Sequence, residues 1–267
     1  MIFKFGENIR SLFRNLKWVD RLVSSLEKKE FNRIVNAEKK RFSADSTFVE
    51  NNQDKIDELR NNGVIFLPSY FNFEPGEIED FRNMMHSEGK EFDSVQTFYP
   101  DLIPLSLKKL CEDKYIENII DHSRGYKSPK KVLRLYHSSH IAEETGSFLW
   151  HHDGLFDYYK VLVYLTEVNM ENGPLGYCLG SNKNDWKYYS YERSRFEEAE
   201  IKQYQTKYFL GKPGDLIILN ANGIHKAMNP LLNFDRLVAS LAFIDFNSNQ
   251  STDHLYASEN KLSYLRN

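Results

Sequence analysis

The feature that most limits the fold is a change of pattern at Lys131. Downstream, the chain reads as short strands at 131–138, 147–153, 160–166, 175–179, 215–219 and 235–245. Val161-Leu162-Val163-Tyr164-Leu165-Thr166 and Asp215-Leu216-Ile217-Ile218-Leu219-Asn220 are dense in strand-forming side chains. Lys212-Pro213-Gly214-Asp215 is a turn leading into the second of them. Upstream, apolar residues recur at helical spacing. Helices first and strands later, without βαβ alternation, predict an α+β layer architecture. A double-sheet jelly roll carried on N-terminal helices is the natural candidate.

The helical part has its own punctuation. In 7–45 the apolar positions are Ile9, Leu12, Phe13, Leu16, Val19, Leu22, Val23 and Leu26. With Arg10, Arg14, Lys17 and Arg21 nearby, such a helix could lie on a membrane surface; the simpler expectation is an apolar face packed on the domain. Residues 52–62 read as a helix stopped by Asn61-Asn62-Gly63. Val64-Ile65-Phe66-Leu67 follows as a short strand, then helices over 76–90 and in two stretches between 104 and 124. The polar, tyrosine-rich stretch 183–209 interrupts the strands and is expected to be partly helical. Long insertions of this kind often act as lids; the alternative is a fixed surface helix whose tyrosines pack on the sheet.

Composition excludes several classes. At 267 residues and 41% hydrophobic, the chain is long enough for a sizeable core. A net charge of −3 lacks the basic footprint of a nucleic-acid binder. Cys111 and Cys178 are too few for a disulfide framework, and no apolar run is long enough to span a membrane. The start lacks a secretory signal's apolar core, so a cytoplasmic location is expected.

The chemistry lies in Trp150-His151-His152-Asp153-Gly154, with His225 and Arg236 downstream. On a strand, His151 and Asp153 point one way and His152 the other. Two imidazoles and one carboxylate on one side of a metal leave the other side open, which suits a non-haem Fe(II) oxygenase. Taken alone, His151 could equally be a partly buried histidine with a hydrogen-bond partner, and Asp153 a turn residue before Gly154. Arg236 sits among the apolar residues Leu237-Val238-Ala239-Ser240-Leu241-Ala242-Phe243. Its planar guanidinium could clamp a carboxylate through two parallel hydrogen bonds, or it could serve a structural salt bridge or an exposed edge.

Together these residues resemble the phytanoyl-CoA dioxygenase-like group of Fe(II)/2-oxoglutarate oxygenases. The matching words are Trp150 to Gly154 and the strand Lys160 to Val168, then Glu171-Asn172-Gly173-Pro174-Leu175 continuing to Leu179-Gly180-Ser181-Asn182-Lys183. Lys212 to Leu216, His225 and Arg236 complete the order, and Asn61 to Pro68 is similar to the family's usual entry into its domain. The chain departs from the pattern at Leu179 and Asn182, where the family carries proline and histidine. The resemblance covers roughly 56–245. It implies a cupin-like double-stranded β-helix (jelly roll) with iron at its mouth, His151, Asp153 and His225 as iron ligands, and Arg236 on the 2-oxoglutarate co-substrate. Arg134 and Tyr136, two apart on the strand before the metal pair, are candidates to face the co-substrate; the alternative is a sheet-face pair.

The expected organisation is an N-terminal helical extension over 1–50 and an oxygenase domain over 51–267. The expected activity uses Fe(II), 2-oxoglutarate and O2 to hydroxylate or otherwise oxidise an unactivated C–H bond of a small metabolite, releasing succinate and CO2. The small-molecule substrate's identity and the oligomeric state are not readable. A peptide or protein side chain is the alternative substrate. A zinc hydrolase with the same ligands and a non-catalytic jelly-roll binding module are the readings from other classes.

Overall fold

The computed structural model describes residues 17–92, 95–98, 105–127, 130–155, 158–186, 194–244 and 263–265. Helices come first: α1 (Lys17–Arg41) and α2 (Ser46–Asn62). The Asp45 carboxylate caps α2 by accepting from the Phe48 N–H at 3.0 Å. Gly63 ends it in the left-handed region, at φ +80°. β1 (Val64–Leu67), α3 (Glu77–Glu88), the paired strands β2 (Lys90–Phe92) and β3 (Val95–Phe98), α4 (Leu105–Glu112) and α5 (Lys114–Arg124) follow. The strand region comprises β4 (Lys130–Ser139), β5 (Trp150–His151), β6 (Tyr159–Tyr164), β7 (Leu175–Cys178), β8 (Arg195–Phe196), β9 (Thr206–Phe209), β10 (Leu216–Asn220), β11 (His225–Ala227), β12 (Asp235–Ile244) and β13 (Ser263–Leu265). One short helix, α6 (Glu198–Ile201), interrupts it.

Two antiparallel sheets result. The larger runs β1-β10-β6-β12-β4-β3-β2, with β13 also on β4; the smaller runs β8-β5-β11-β7-β9. Strand alternation gives the larger sheet two different faces. Leu133 and Leu135 of β4, Val161 and Val163 of β6, and Leu237, Ala239, Leu241 and Phe243 of β12 form one core with Ile56, Leu59, Phe81, Met85, Ile116 and Ile120 of the helices. The opposite face supplies Tyr164, Ile217, Leu219 and Val238, which pack with Leu175, Tyr177 and Phe209 of the smaller sheet. Both faces are therefore covered, and the site lies between the sheets. α1 is tied on through Phe31 and Val35, which pack with Tyr126 and Leu155. No helix among the described residues is long and apolar enough to cross a membrane.

Of the expected N-terminal helix, residues 7–16 lie outside the described residues; Val19 and Val23 of its apolar set are buried, but Leu22 and Leu26 are exposed. The other expected elements form, with two informative differences. In 147–153 only Trp150 and His151 are ladder residues, and Gly146–Phe148 makes a single 3-10 turn. The extended path nevertheless continues, because the Asp153 N–H donates to the Ala221 carbonyl at 2.9 Å. In the tyrosine-rich stretch, residues 187–193, with Tyr188, Tyr189 and Tyr191, lie outside the described residues. The part described beyond them, 194–209, is woven into the smaller sheet: β8 pairs with β5 and β9 with β7. That part supplies two edge strands to the smaller sheet.

Leu241 tests the helix-facing core. It stands opposite Leu133 and Val161 on the flanking strands and is fully buried. Leu241→Ala should lower unfolding free energy by about 2–5 kcal/mol, read from the urea midpoint. A loss under about 1 kcal/mol would show that this layer does not hold the domain together.

Candidate metal centre

His151 and His225 are directly opposed in the β5–β11 ladder. Opposed residues on antiparallel strands project to the same face, and here the two imidazole centroids are 4.4 Å apart. Asp153, two residues after His151, turns its carboxylate to the same point. Its Oδ1 lies 3.4 Å from His151 Nε2 and its Oδ2 3.7 Å from His225 Nε2. One donor atom from each of the three residues falls within 4.8 Å of the others.

The imidazoles are oriented from behind. His151 Nδ1 donates to the Leu149 carbonyl at 2.7 Å, and His225 Nδ1 to the Gly223 carbonyl at 2.9 Å. A carbonyl can only accept, so Nδ1 carries a proton in each ring and Nε2 is the atom turned to the shared point. Burial and the neighbouring His151 push His225 down to about 3, against the pull of Asp153. Burial alone would raise Asp153, but Lys160, His225 and His151 more than offset it and hold the carboxyl well below its ordinary range. A neutral His225 beside an ionised Asp153 matches what a divalent metal requires of its ligands. The donor set therefore fits Fe(II).

His152 points away. Its ring stacks on Trp186 with centroids 4.3 Å apart and planes 10° from parallel, and Nδ1 donates to the Gly154 carbonyl at 2.8 Å. Trp186 in turn donates from its indole to the Asn222 carbonyl at 2.8 Å. Burial lowers His152 to about 4.

A cavity of about 100 Å³ opens beside the three residues. His151, His225, Tyr136, Ser138, Tyr164 and Arg236 are among its walls. Arg236 is buried, and no acid among the described residues pairs with it. It donates from Nη1 to the Gly173 carbonyl and from Nη2 to Ser138 Oγ at 3.3 Å, while its Nε has no hydrogen-bond partner. The structural salt bridge and exposed-edge alternatives for Arg236 are thus not realised. The Asn172-Gly173 turn supports it: Asn172 Nδ2 donates to the Asp235 carbonyl at 3.0 Å, and the Gly173 φ is +78°. A Cβ there would lie 2.2 Å from the Met228 carbonyl oxygen.

Tyr136 lines the same cavity. Arg134, two residues earlier, is buried, donates to the Tyr158 hydroxyl at 2.9 Å and lies over the Tyr136 ring. Reading the motifs alone missed Ser138, Lys160, Leu162 and Tyr164 as cavity walls. The signal was the two-residue period: Ser138 follows Tyr136 at that interval, and Lys160, Leu162 and Tyr164 alternate on β6. A lysine inside an apolar strand was the clearest unread cue.

The chain resembles three solved structures in fold. It is 14% identical to the non-heme alpha ketoglutarate dependent carbocyclase SnoK of nogalamycin biosynthesis, covering 77% of this chain and 91% of that one at TM-score 0.58. It is 18% identical to HygX from Streptomyces hygroscopicus, solved with nickel and 2-oxoglutarate (73% and 87% covered, TM-score 0.54). It is 19% identical to EctD from S. alaskensis, solved with bound Fe (72% and 76% covered, TM-score 0.55). No curated protein matches the chain in sequence. The architecture is the jelly roll of the Fe(II)/2-oxoglutarate enzymes. Residues 8–230 match the phytanoyl-CoA dioxygenase (PhyH) family, and the chain belongs to that family. It is an Fe(II)- and 2-oxoglutarate-dependent dioxygenase, with O2 as the oxidant of its class. The match begins upstream of Asn61–Pro68 and takes in α1 as well.

The buried histidines set an acid limit on the metal-free fold. An unfolded histidine protonates near its ordinary value of 6.5, whereas His152 holds out to about 4 and His225 to about 3. Below about pH 6.5 the unfolded chain therefore binds more protons than the native one, and stability falls with pH. Asp153 acts in the same direction at lower pH, because its depressed pKa adds stability only above its ordinary range. Thermal melts in chelator should show the midpoint dropping from about pH 6.5 toward pH 4, and less steeply in His152→Phe. Parallel profiles for the two proteins would show that His152 is not buried neutral.

Proposed function

We propose that His151, Asp153 and His225 hold one Fe(II), that Arg236 takes the far carboxylate of 2-oxoglutarate, and that the enzyme hydroxylates or otherwise oxidises an unactivated C–H bond of a small metabolite. The observation that carries this reading is the paired Nε2 lone pairs and one carboxylate converging beside a cavity, with an acid-free arginine in its wall. Bound Fe(II) with 2-oxoglutarate and O2 would supply the oxidising power, with succinate and CO2 as co-products.

The chain's own residues do the positioning. The Leu149 and Gly223 carbonyls fix both ring orientations. Three protein donors leave the cavity side open for co-substrate and oxygen. Arg236 keeps its Nε unengaged, and its guanidinium reaches into a buried pocket where a carboxylate would be its natural charge partner. Ser138, which accepts from Arg236, and Tyr164 lie in the same wall, and Tyr136 would flank the co-substrate. Arg134 bears on the site through the Tyr158 hydroxyl. An arginine of this kind has no task in a zinc hydrolase, which weighs against that alternative.

Anaerobic addition of Fe(II) and 2-oxoglutarate should give a metal-to-ligand charge-transfer band. The band should vanish in His151→Ala, Asp153→Ala and His225→Ala and persist in His152→Ala. The reverse result for His151 and His152 would overturn the ligand assignment.

Arg236→Ala should weaken 2-oxoglutarate binding by roughly 2–5 kcal/mol with metal affinity nearly unchanged. Arg236→Lys should restore it only in part, since an ammonium lacks the planar fork. An unaltered 2-oxoglutarate dissociation constant in Arg236→Ala would remove Arg236 from the site.

A further inference from the structure

Lys160 holds Asp153 ionised, but its ammonium also lines the cavity itself. Its ammonium lies 2.5 Å from Asp153 Oδ2 as an ion pair without hydrogen-bond geometry, and 5.5 Å from the Tyr158 ring centroid. Its side chain is 17% exposed, and Asp153 is its one acidic partner among the described residues. The Tyr158 hydroxyl accepts from Arg134 Nη2 and retains its own proton to donate.

The ladder sets where Lys160 stands relative to Arg236. Lys160 is opposite Ala242 on β12, whereas Arg236 lies six residues back along that strand. At about 3.3 Å per residue the two positions are about 20 Å apart. The two cations thus enter the cavity from opposite ends, with Asp153 at the Lys160 end. If 2-oxoglutarate is anchored by Arg236, it fills the Arg236 side. A metal held by Asp153 then takes up the charge that balances Lys160. The ammonium is left facing the remaining part of the cavity without a counter-charge, a costly state unless something anionic arrives.

We propose that Lys160, with the Tyr158 hydroxyl beside it, is the recognition point for an anionic group of the substrate, a carboxylate or a phosphate. The inference rests on the Fe(II)/2-oxoglutarate reading above. The substrate class it names is a small organic anion held by its charge on the side of the metal away from Arg236.

The test is anaerobic calorimetric titration of the Fe(II)·2-oxoglutarate protein, at saturating 2-oxoglutarate, with butyrate, butyl phosphate and butyramide. At least one anion should bind the wild-type protein tenfold or more tightly than the amide. Butyrate preferred over butyl phosphate would identify the group as a carboxylate; the opposite order would identify a phosphate. Lys160→Met should reduce the preferred anion to the amide's level while keeping the charge-transfer band, and Lys160→Arg should retain most of the preference. Anions no better than the amide, or an undiminished preference in Lys160→Met, would overturn the anion site while leaving the iron site standing. The wild-type comparison needs no variant, so it decides even if Lys160→Met fails to fold. Absence of the band in wild-type protein would instead overturn the iron reading and this site with it.

Discussion

The larger sheet is covered on both faces, and most of the molecule's order follows from that. A strand residue there must face either the helices or the smaller sheet, and water reaches neither freely. Polar side chains on the inner face consequently need partners inside the protein. Arg236 uses the Gly173 carbonyl and Ser138, Arg134 uses Tyr158, and Lys160 uses Asp153. These residues line up at two-residue intervals because the β4–β12–β6 register brings them to one side. The helix layer does no chemistry, but it keeps the opposite face apolar and the register unique.

The candidate metal centre depends on a much smaller piece of ladder. β5 contributes two residues, and His151 meets His225 through a single opposed pair. So short a strand would be poorly held by itself. β8 flanks it on its other edge, the Asp153 N–H is tied to Ala221, and His152 is wedged against Trp186 behind it. The stretch between β7 and β10 thus contributes to the site from outside, by fixing the strand on which the proposed ligands stand. Burial keeps His225 neutral, and Lys160 with the two histidines keeps the Asp153 carboxylate ionised, the states in which these side chains can bind a cation.

Much of this was legible in the sequence, for identifiable reasons. Strands β6, β10 and β12 read clearly because they are dense in apolar strand-formers, as a sheet buried on both faces requires. The His151 and Asp153 pairing followed from the two-residue period alone, which holds through 153 even though the ladder stops at 151. Gly63 announced the end of α2 through its conformational freedom. The short strands β8, β9 and β11 were not legible, since two to four residues carry too little pattern and form only because partners are waiting. The tyrosine-rich stretch was legible only in part: polarity did not announce that its described residues 194–209 supply two strands to the smaller sheet. Lys160 was overlooked because a charge in an apolar strand reads as an exception until its partner, seven residues earlier in sequence, is seen in space.

The central claim is that one divalent cation sits among His151, Asp153 and His225, with His152 outside the site. Anomalous diffraction at the iron edge, from anaerobically Fe(II)-loaded crystals, tests it most directly. The account predicts a single peak within bonding distance of His151 Nε2, His225 Nε2 and one carboxylate oxygen of Asp153. A peak beside His152, or none among these three residues at full metal loading, would contradict it.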